Sequence, residues 1–287
     1  MSLPAVQALD DDLSFDLVYS DGWPLDSNWE RIQIDLLIDV ARQAMAERGR
    51  PDFFAGGDMF VYHSVEQAKT VAQAVAQGRS YQRGPDFFFV EGVKDHDRKS
   101  WVSWKEEGRL PDVIVELLSP STKNNDRTTK KDLYAGIFRT PEYFLYEPAT
   151  GEFEGFRLVG DRYQRLFPDA GNRFWSEKLG LKLGLWQGLC TGVETTWVRL
   201  FEADGRLVPT KTEAADARAE AERKKAEAER KKAEAAEARA EAERKKAEAA
   251  DARAEAERER AEAERERAEV AEAELARLRA KLEGTSG

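Results

Sequence analysis

Two short runs in this sequence open the same way. Residues 85–90 read Pro-Asp-Phe-Phe-Phe-Val, and residues 111–118 read Pro-Asp-Val-Ile-Val-Glu-Leu-Leu. Apolar residues fill consecutive positions in both, the pattern of a strand buried on two faces. Asp86 opens the first strand and Glu116 lies inside the second. If the two strands are neighbours, both carboxylates project to one edge of the sheet. Paired carboxylates on rigid strands suit a hard, oxygen-loving cation such as Mg²⁺, with Mn²⁺ as the alternative. A metal there would activate water and stabilise charge on a phosphate. A lysine nearby would neutralise the developing anion. Asp after Pro at a strand start is also a common turn residue, so Asp86 and Asp112 each have a plain structural role open to them. Glu116 has less of one, because a carboxylate set among Val-Ile-Val and Leu-Leu is buried and must be paired or metal-bound.

Other chemistries find little support. His63 and His96 lack the companions of a zinc site, and neither a phosphate-binding loop nor a G-x-S-x-G elbow occurs. Cys190 is the sole cysteine and sits in an apolar, Trp-rich stretch, which favours packing over nucleophilic chemistry. Asp58 and Glu30 are further oxygen donors that could join the pair. Ser119-Pro120-Ser121-Thr122 suits either a phosphate contact or a turn that starts a helix. Trp101 and Trp104, on a polar connection, could stack on a base.

The elements that must hold these residues are legible from pattern. Ser27 with Glu30 three residues on is a capping box, and Trp29, Ile32, Leu36, Leu37, Val40 and Met45 recur with helical spacing, predicting a helix from Ser27 to Arg48. Pro51 to His63 reads as one or two strands bent at Gly56-Gly57, and 64–77 as a helix or a loop. Asn125 to Phe138 reads as a helix with Leu133, Tyr134 and Ile137 toward the sheet. Strands follow at 142–146, 153–158, 163–167, 179–185 and 194–201. Residues 1–26 form a polar lead-in. The α/β domain is therefore 27–210, a charged helical tail 211–283, and a short end 284–287.

Charge separates the two parts. The tail from Lys211 to Glu283 carries 20 basic and 22 acidic residues, which leaves 25 and 33 for residues 1–210, a net of −8. That balance argues mildly against nucleic acid, whose binders usually show a basic excess. Within the tail, Ala-Glu-Ala-Glu-Arg-Lys-Lys at 219–225 recurs at 226–232 and 240–246, with no Gly or Pro from Thr210 to Glu283. Glu220–Lys224, Glu227–Lys231 and Glu241–Lys245 stand in the favourable i,i+4 order. With Ala219 and Ala226 as seam positions, Glu222 and Glu229 would be the other knobs, a poor coiled-coil core; only Leu275, Leu278 and Leu282 space well. Both a solvated helix and a coiled coil stay open, and so does a homo-oligomer formed through core or tail. One cysteine, no apolar run of membrane length and no basic, apolar leader make a cytoplasmic protein the expectation.

The segment from Pro111 to Tyr146 resembles the Uma-two family of restriction endonucleases, within the PD-(D/E)XK nuclease superfamily. The likeness rests on PDVIVELLSPST at 111–122, NDRTTKKDLYAGIF at 125–138 and PEYFLYEP at 141–148, with GPDFFFVEGV at 84–93 upstream. It extends over about residues 25–210. The resemblance implies an α/β fold, a mixed sheet flanked by helices. It implies Asp86 and Glu116 as metal ligands and catalytic residues, DNA as the partner, and a Mg²⁺-dependent endonuclease. The strict motif has lysine two residues after Glu116, where this chain has Leu118. The family usually supplies one from the following helix, which makes Lys131 the expected catalytic lysine and Lys130 its alternative. The competing reading is a nuclease-like domain that no longer cleaves and acts as a binding or assembly module through its tail.

Overall fold

The computed structural model describes residues 17–19, 27–79 and 84–283, so most of the lead-in expected at 1–26 and the end at 284–287 lie outside it. The chain divides into two units, residues 1–215 and 216–287.

The first unit is a mixed sheet flanked by helices. It begins with α1 (Asn28–Glu47), where Ser27 accepts a hydrogen bond from the Glu30 backbone N–H at 3.1 Å. One face of α1 buries Ile32, Leu36, Leu37, Val40 and Met45, as the spacing predicts. Gln33 is buried in the same face. Its amide donates to the Val198 carbonyl at 3.0 Å and accepts from the Val198 N–H at 2.7 Å, satisfying both polar groups of one strand residue.

Then come β1 (Phe53–Gly56), β2 (Val61–Tyr62), α2 (Val65–Ala76), β3 (Phe87–Glu91), β4 (Trp101–Val102) and β5 (Val113–Leu117). A helix spanning residues 123–138, α3, leads to β6 (Glu142–Glu147), β7 (Glu152–Val159) and β8 (Arg162–Arg165). The ambiguous 64–77 segment is thus a helix, capped by Ser64. The main sheet has the order β1-β3-β5-β6-β7-β8. Its neighbours are antiparallel except β5 and β6, which are parallel. Parallel neighbours need a crossover, and α3 is that crossover. A three-stranded sheet follows in the order β11-β10-β9, built from β9 (Arg173–Ser176), β10 (Leu181–Cys190) and β11 (Val193–Phe201). β9 carries no apolar run, which is why its pattern did not announce it.

Both faces of the main sheet are covered, which explains its consecutive apolar residues. Phe87, Phe89, Val113, Val115 and Leu117 pack with α1 and with Leu181, Leu183 and Val198. Phe88, Val90, Ile114 and Leu145 pack on the opposite face with Trp101, Tyr134 and Phe138. Trp101 is completely buried and its indole N–H donates to the Arg109 carbonyl, so it is a core residue and not the base-stacking surface considered from sequence.

The tail helix, α4 (Lys211–Glu283), runs without a break. Its start is a reciprocal capping box. Thr210 Oγ1 accepts from the Glu213 N–H at 3.0 Å, and a Glu213 carboxylate oxygen accepts from the Thr210 N–H at 2.7 Å. All three predicted i,i+4 pairs form, at 2.6, 2.8 and 2.8 Å. Side chains from 215 to 278 are exposed, Leu275 and Leu278 included.

Candidate active site

Strand direction decides which of the two Pro-Asp pairs joins Glu116. β3 and β5 are antiparallel, with Phe87 opposite Val115 and Phe88 opposite Ile114. Continuing that register by one residue sets Asp86 opposite Glu116 at one end of the sheet. Asp112 therefore belongs to the other end, where its carboxylate accepts from the Glu91 N–H at 2.9 Å and pairs with Lys178 at 3.1 Å. It is a structural residue. Asp86 caps the end of β5, accepting from the Leu117 N–H at 2.6 Å, while its own N–H donates to Glu116 Oε2 at 3.5 Å. Gly57 packs against the backbone of Asp86, where a Cβ would lie 1.9 Å from the Asp86 carbonyl oxygen.

Alternation along β5 turns Glu116 toward α3, on the face shared with Ile114 and Leu118. Leu118, at the motif's lysine position, is buried in that apolar layer. The cation comes from α3, and it is Lys130: its Nζ lies 3.0 Å from Glu116 Oε2 and 3.0 Å from Asp126 Oδ1. Tyr134 donates its hydroxyl to Glu116 Oε1 at 2.8 Å. Lys131, the lysine expected from sequence, makes a different contact. Its ammonium sits over the Phe156 ring, 3.3 Å from the centroid. Ile137, expected to face the sheet, is 52% exposed.

One cause explains both differences. α3 contains two wide π-type turns, Asp126–Lys130 and Tyr134–Phe138. On an ordinary α-helix, residues four apart advance by about 40° around the axis. Widening the turns removes much of that advance, so Asp126, Lys130, Tyr134 and Phe138 form one buried stripe. Sequence reasoning missed Asp126 and Tyr134 as site residues. The signal was present, since Asp-x₃-Lys-x₃-Tyr repeats a polar group at every fourth position.

Among the described residues the site is short of positive charge: Asp86, Glu116 and Asp126 share one ammonium. Burial is the main influence on Asp86 and, with Glu30 and Asp126 adding to it, pushes the carboxyl up to about 6 against the opposing pull of Lys130 and the Leu117 N–H. Glu116 is pushed well above the usual carboxylate range, first by burial and then by Asp86 and Asp126, again against Lys130. Burial alone would lower Lys130, but Glu116, Asp86 and Asp126 outweigh it and hold the amine charged. Tyr134 is raised by burial and by Glu116, so it remains a proton donor.

This carries a stability consequence. A raised carboxyl pKa means the folded state holds the proton more tightly. Its stabilisation is full below the unfolded value near 4 and is lost as pH rises through about 6. Asp86→Asn keeps an acceptor for Leu117 and removes the buried charge, so it should stabilise the fold at pH 7 by on the order of 1–3 kcal/mol. Denaturant melts should show the gain at pH 7 and its disappearance at pH 4; a variant weaker than wild type at pH 7 would contradict this electrostatic account.

The donors suit a divalent cation. Among the described residues no group of three or more His, Cys, Asp or Glu is arranged to hold a metal. Mg²⁺ characteristically takes one or two carboxylates and completes its shell with water and substrate oxygens. Asp86 and Glu116 are such a pair, and their excess charge is what a cation would relieve. A groove of about 500 Å³ opens at this end of the sheet, lined by Ser27, by Trp29 and Glu30 from α1, by residues 117–121 at and after the end of β5, and by Pro148 and Ala149 after β6. It lies at the carboxyl ends of the two parallel strands, a common ligand position in α/β sheets.

The family comparison agrees with the sequence resemblance. No curated protein matches the chain. A solved structure from Anabaena variabilis ATCC 29413, described as a "putative nuclease belonging to DUF820", is similar at 15% identity over 56% of this chain and 86% of the other, with a TM-score of 0.35. The profile of the Uma2 family, described as "Putative restriction endonuclease", matches residues 11–193, well over half of the chain, and the chain belongs to that family.

Proposed function

We propose that this chain is a metal-dependent endonuclease that hydrolyses DNA phosphodiester bonds, with Asp86, Glu116 and Lys130 as its catalytic residues. The observation that carries this reading is the meeting of Asp86 and Glu116 at one sheet end with the Lys130 ammonium 3.0 Å from Glu116. Asp86 and Glu116 would hold Mg²⁺ or Mn²⁺. When bound, such a cation supplies Lewis acidity toward a phosphate oxygen and makes water easier to deprotonate. Tyr134 and Lys130 fix the Glu116 carboxylate from two directions, so its position costs no reorganisation during the reaction. Lys130 keeps its charge and neutralises part of the negative charge that builds on the attacked phosphate. The turn at Ser119–Thr122 borders the groove in which the scissile strand would lie.

The test is direct. Full-length protein should nick supercoiled plasmid in Mg²⁺ or Mn²⁺ and leave it intact in EDTA. Equal nicking in EDTA would contradict metal dependence, and no nicking with either ion would favour the second reading. That reading is a domain that binds without cleaving and assembles through α4. Its specific support is that Lys130 already bridges Glu116 and Asp126, which partly neutralises the cluster without a metal.

A further inference from the structure

We infer that α4 pairs with α4 of a second copy of this chain, parallel and in register, through the short stretch from Ala268 to Leu282, while the repeat before it stays unpaired. The inference holds whether or not the domain cleaves DNA, so it stands apart from the nuclease reading above.

A helix binds its own copy along a seam of apolar residues spaced alternately three and four apart. The register that sets Ala219 and Ala226 on such a seam runs unbroken to Leu275. Before Ala268, the second seam position of most heptads is acidic, at Glu222, Glu229, Glu243, Glu257 and Glu264. In a parallel pair each of these meets its own copy across the seam, carboxylate against carboxylate. The flanking positions also oppose pairing. Lys225 would meet the second copy's Arg230, Arg239 its Arg244, and Arg260 its Arg265. Turning one helix round does not help. A basic residue stands at every seventh position from Arg218 to Arg267, and that stripe would then face itself. The repeat instead satisfies charges along its own length, through pairs such as Glu220–Lys224 at 2.6 Å.

The last heptads reverse both features. Their seam positions are Ala268, Ala271, Leu275, Leu278 and Leu282, with no charge among them. Leu275 and Leu278 are 53% and 56% exposed on α4, so this apolar face is open to a partner. The flank changes at the same place. In the parallel register Arg267 of one copy meets Glu272 of the other, and the two-fold symmetry of the pair makes that contact twice. Glu274 and Arg279 repeat the match one heptad on. Glu272 has no cation within reach on its own helix, because Ala268, Glu269, Leu275 and Ala276 hold the positions three and four residues away. Only the parallel arrangement pairs it with Arg267. The apolar seam and the charge match thus begin together, where the acidic seam residues end. So short a seam belongs to the class of small, transient interfaces.

The experiment is sedimentation equilibrium on the full-length protein at low salt. The mass should rise from that of one chain toward that of two as concentration passes through values on the order of 0.1 mM, as suits a small interface. Leu275→Glu combined with Leu278→Glu puts charge on an exposed face, so circular dichroism should be unchanged and the protein should stay a single chain throughout. Arg267→Glu should weaken pairing about threefold or more at low salt, and less at high salt. Adding Glu272→Arg to it should restore the pairing of wild type, because opposite charges meet again. Wild-type protein that remains a single chain up to about 0.5 mM, or a dimer that survives the double leucine replacement, overturns the inference. A charge exchange that fails to restore pairing overturns the parallel register on which it rests.

Discussion

Glu116→Ala should lower DNA cleavage by three orders of magnitude or more. Glu116 is completely buried and receives Lys130 at one oxygen and Tyr134 at the other. Its replacement removes half of the proposed ligand pair together with the partner that orients the lysine. Groups that act as a unit lose nearly everything when one is deleted. The fold should survive, because the excess negative charge of the cluster falls when Glu116 leaves. Steady-state nicking at saturating Mg²⁺, with circular dichroism to confirm folding, gives the answer. Folded Glu116→Ala protein cleaving within tenfold of wild type would remove Glu116 from the catalytic set.

The second large effect separates two adjacent lysines. Lys130→Met should destabilise the domain by about 3–5 kcal/mol at pH 7, since removing one member of a buried ion pair strands the other. Here Asp126 and Glu116 are both stranded. The stabilisation from a raised lysine pKa is present at every pH below the unfolded value near 10, so the loss covers the physiological range. As pH falls through about 6 it should shrink, because protons on the raised carboxyls replace the missing ammonium. Lys131→Met should cost under about 1 kcal/mol, the scale of one cation–π contact at a partly exposed site. Cleavage should follow the same split, lost in the first variant and kept in the second. Urea melts of both variants at pH 7 and pH 5 decide the matter; equal destabilisation would show that the Lys130 pairing is not what holds this face of the sheet.

The parts of the fold legible from sequence are those where pattern and chemistry agree. The helix at 28–47 announced itself through Ser27, Glu30 and its apolar period, and the tail through its seven-residue repeat. β3 and β5 were visible because sheets covered on both faces need unbroken apolar runs. Glu116 stood out for the same reason, as a charge inside such a run. β9 was not visible, because four residues of mixed character carry too little periodicity. The choice between Lys130 and Lys131 was not visible either. Helix phase is read from an assumed 3.6-residue turn, and the π-type turns of α3 violate that assumption at the residues that matter. The second Pro-Asp looked equivalent to the first until strand direction sent Asp112 to the far end of the sheet.

Calorimetric titration of Mg²⁺ or Mn²⁺ into full-length wild type and Glu116→Ala tests the central claim most directly, because it reads the metal site without depending on the choice of DNA. The account predicts saturable binding in wild type at pH 7, weaker binding at pH 5 as Asp86 takes up a proton, and no saturable binding in Glu116→Ala. Wild-type protein that takes up neither ion, or a Glu116→Ala variant that binds as well as wild type, would contradict it.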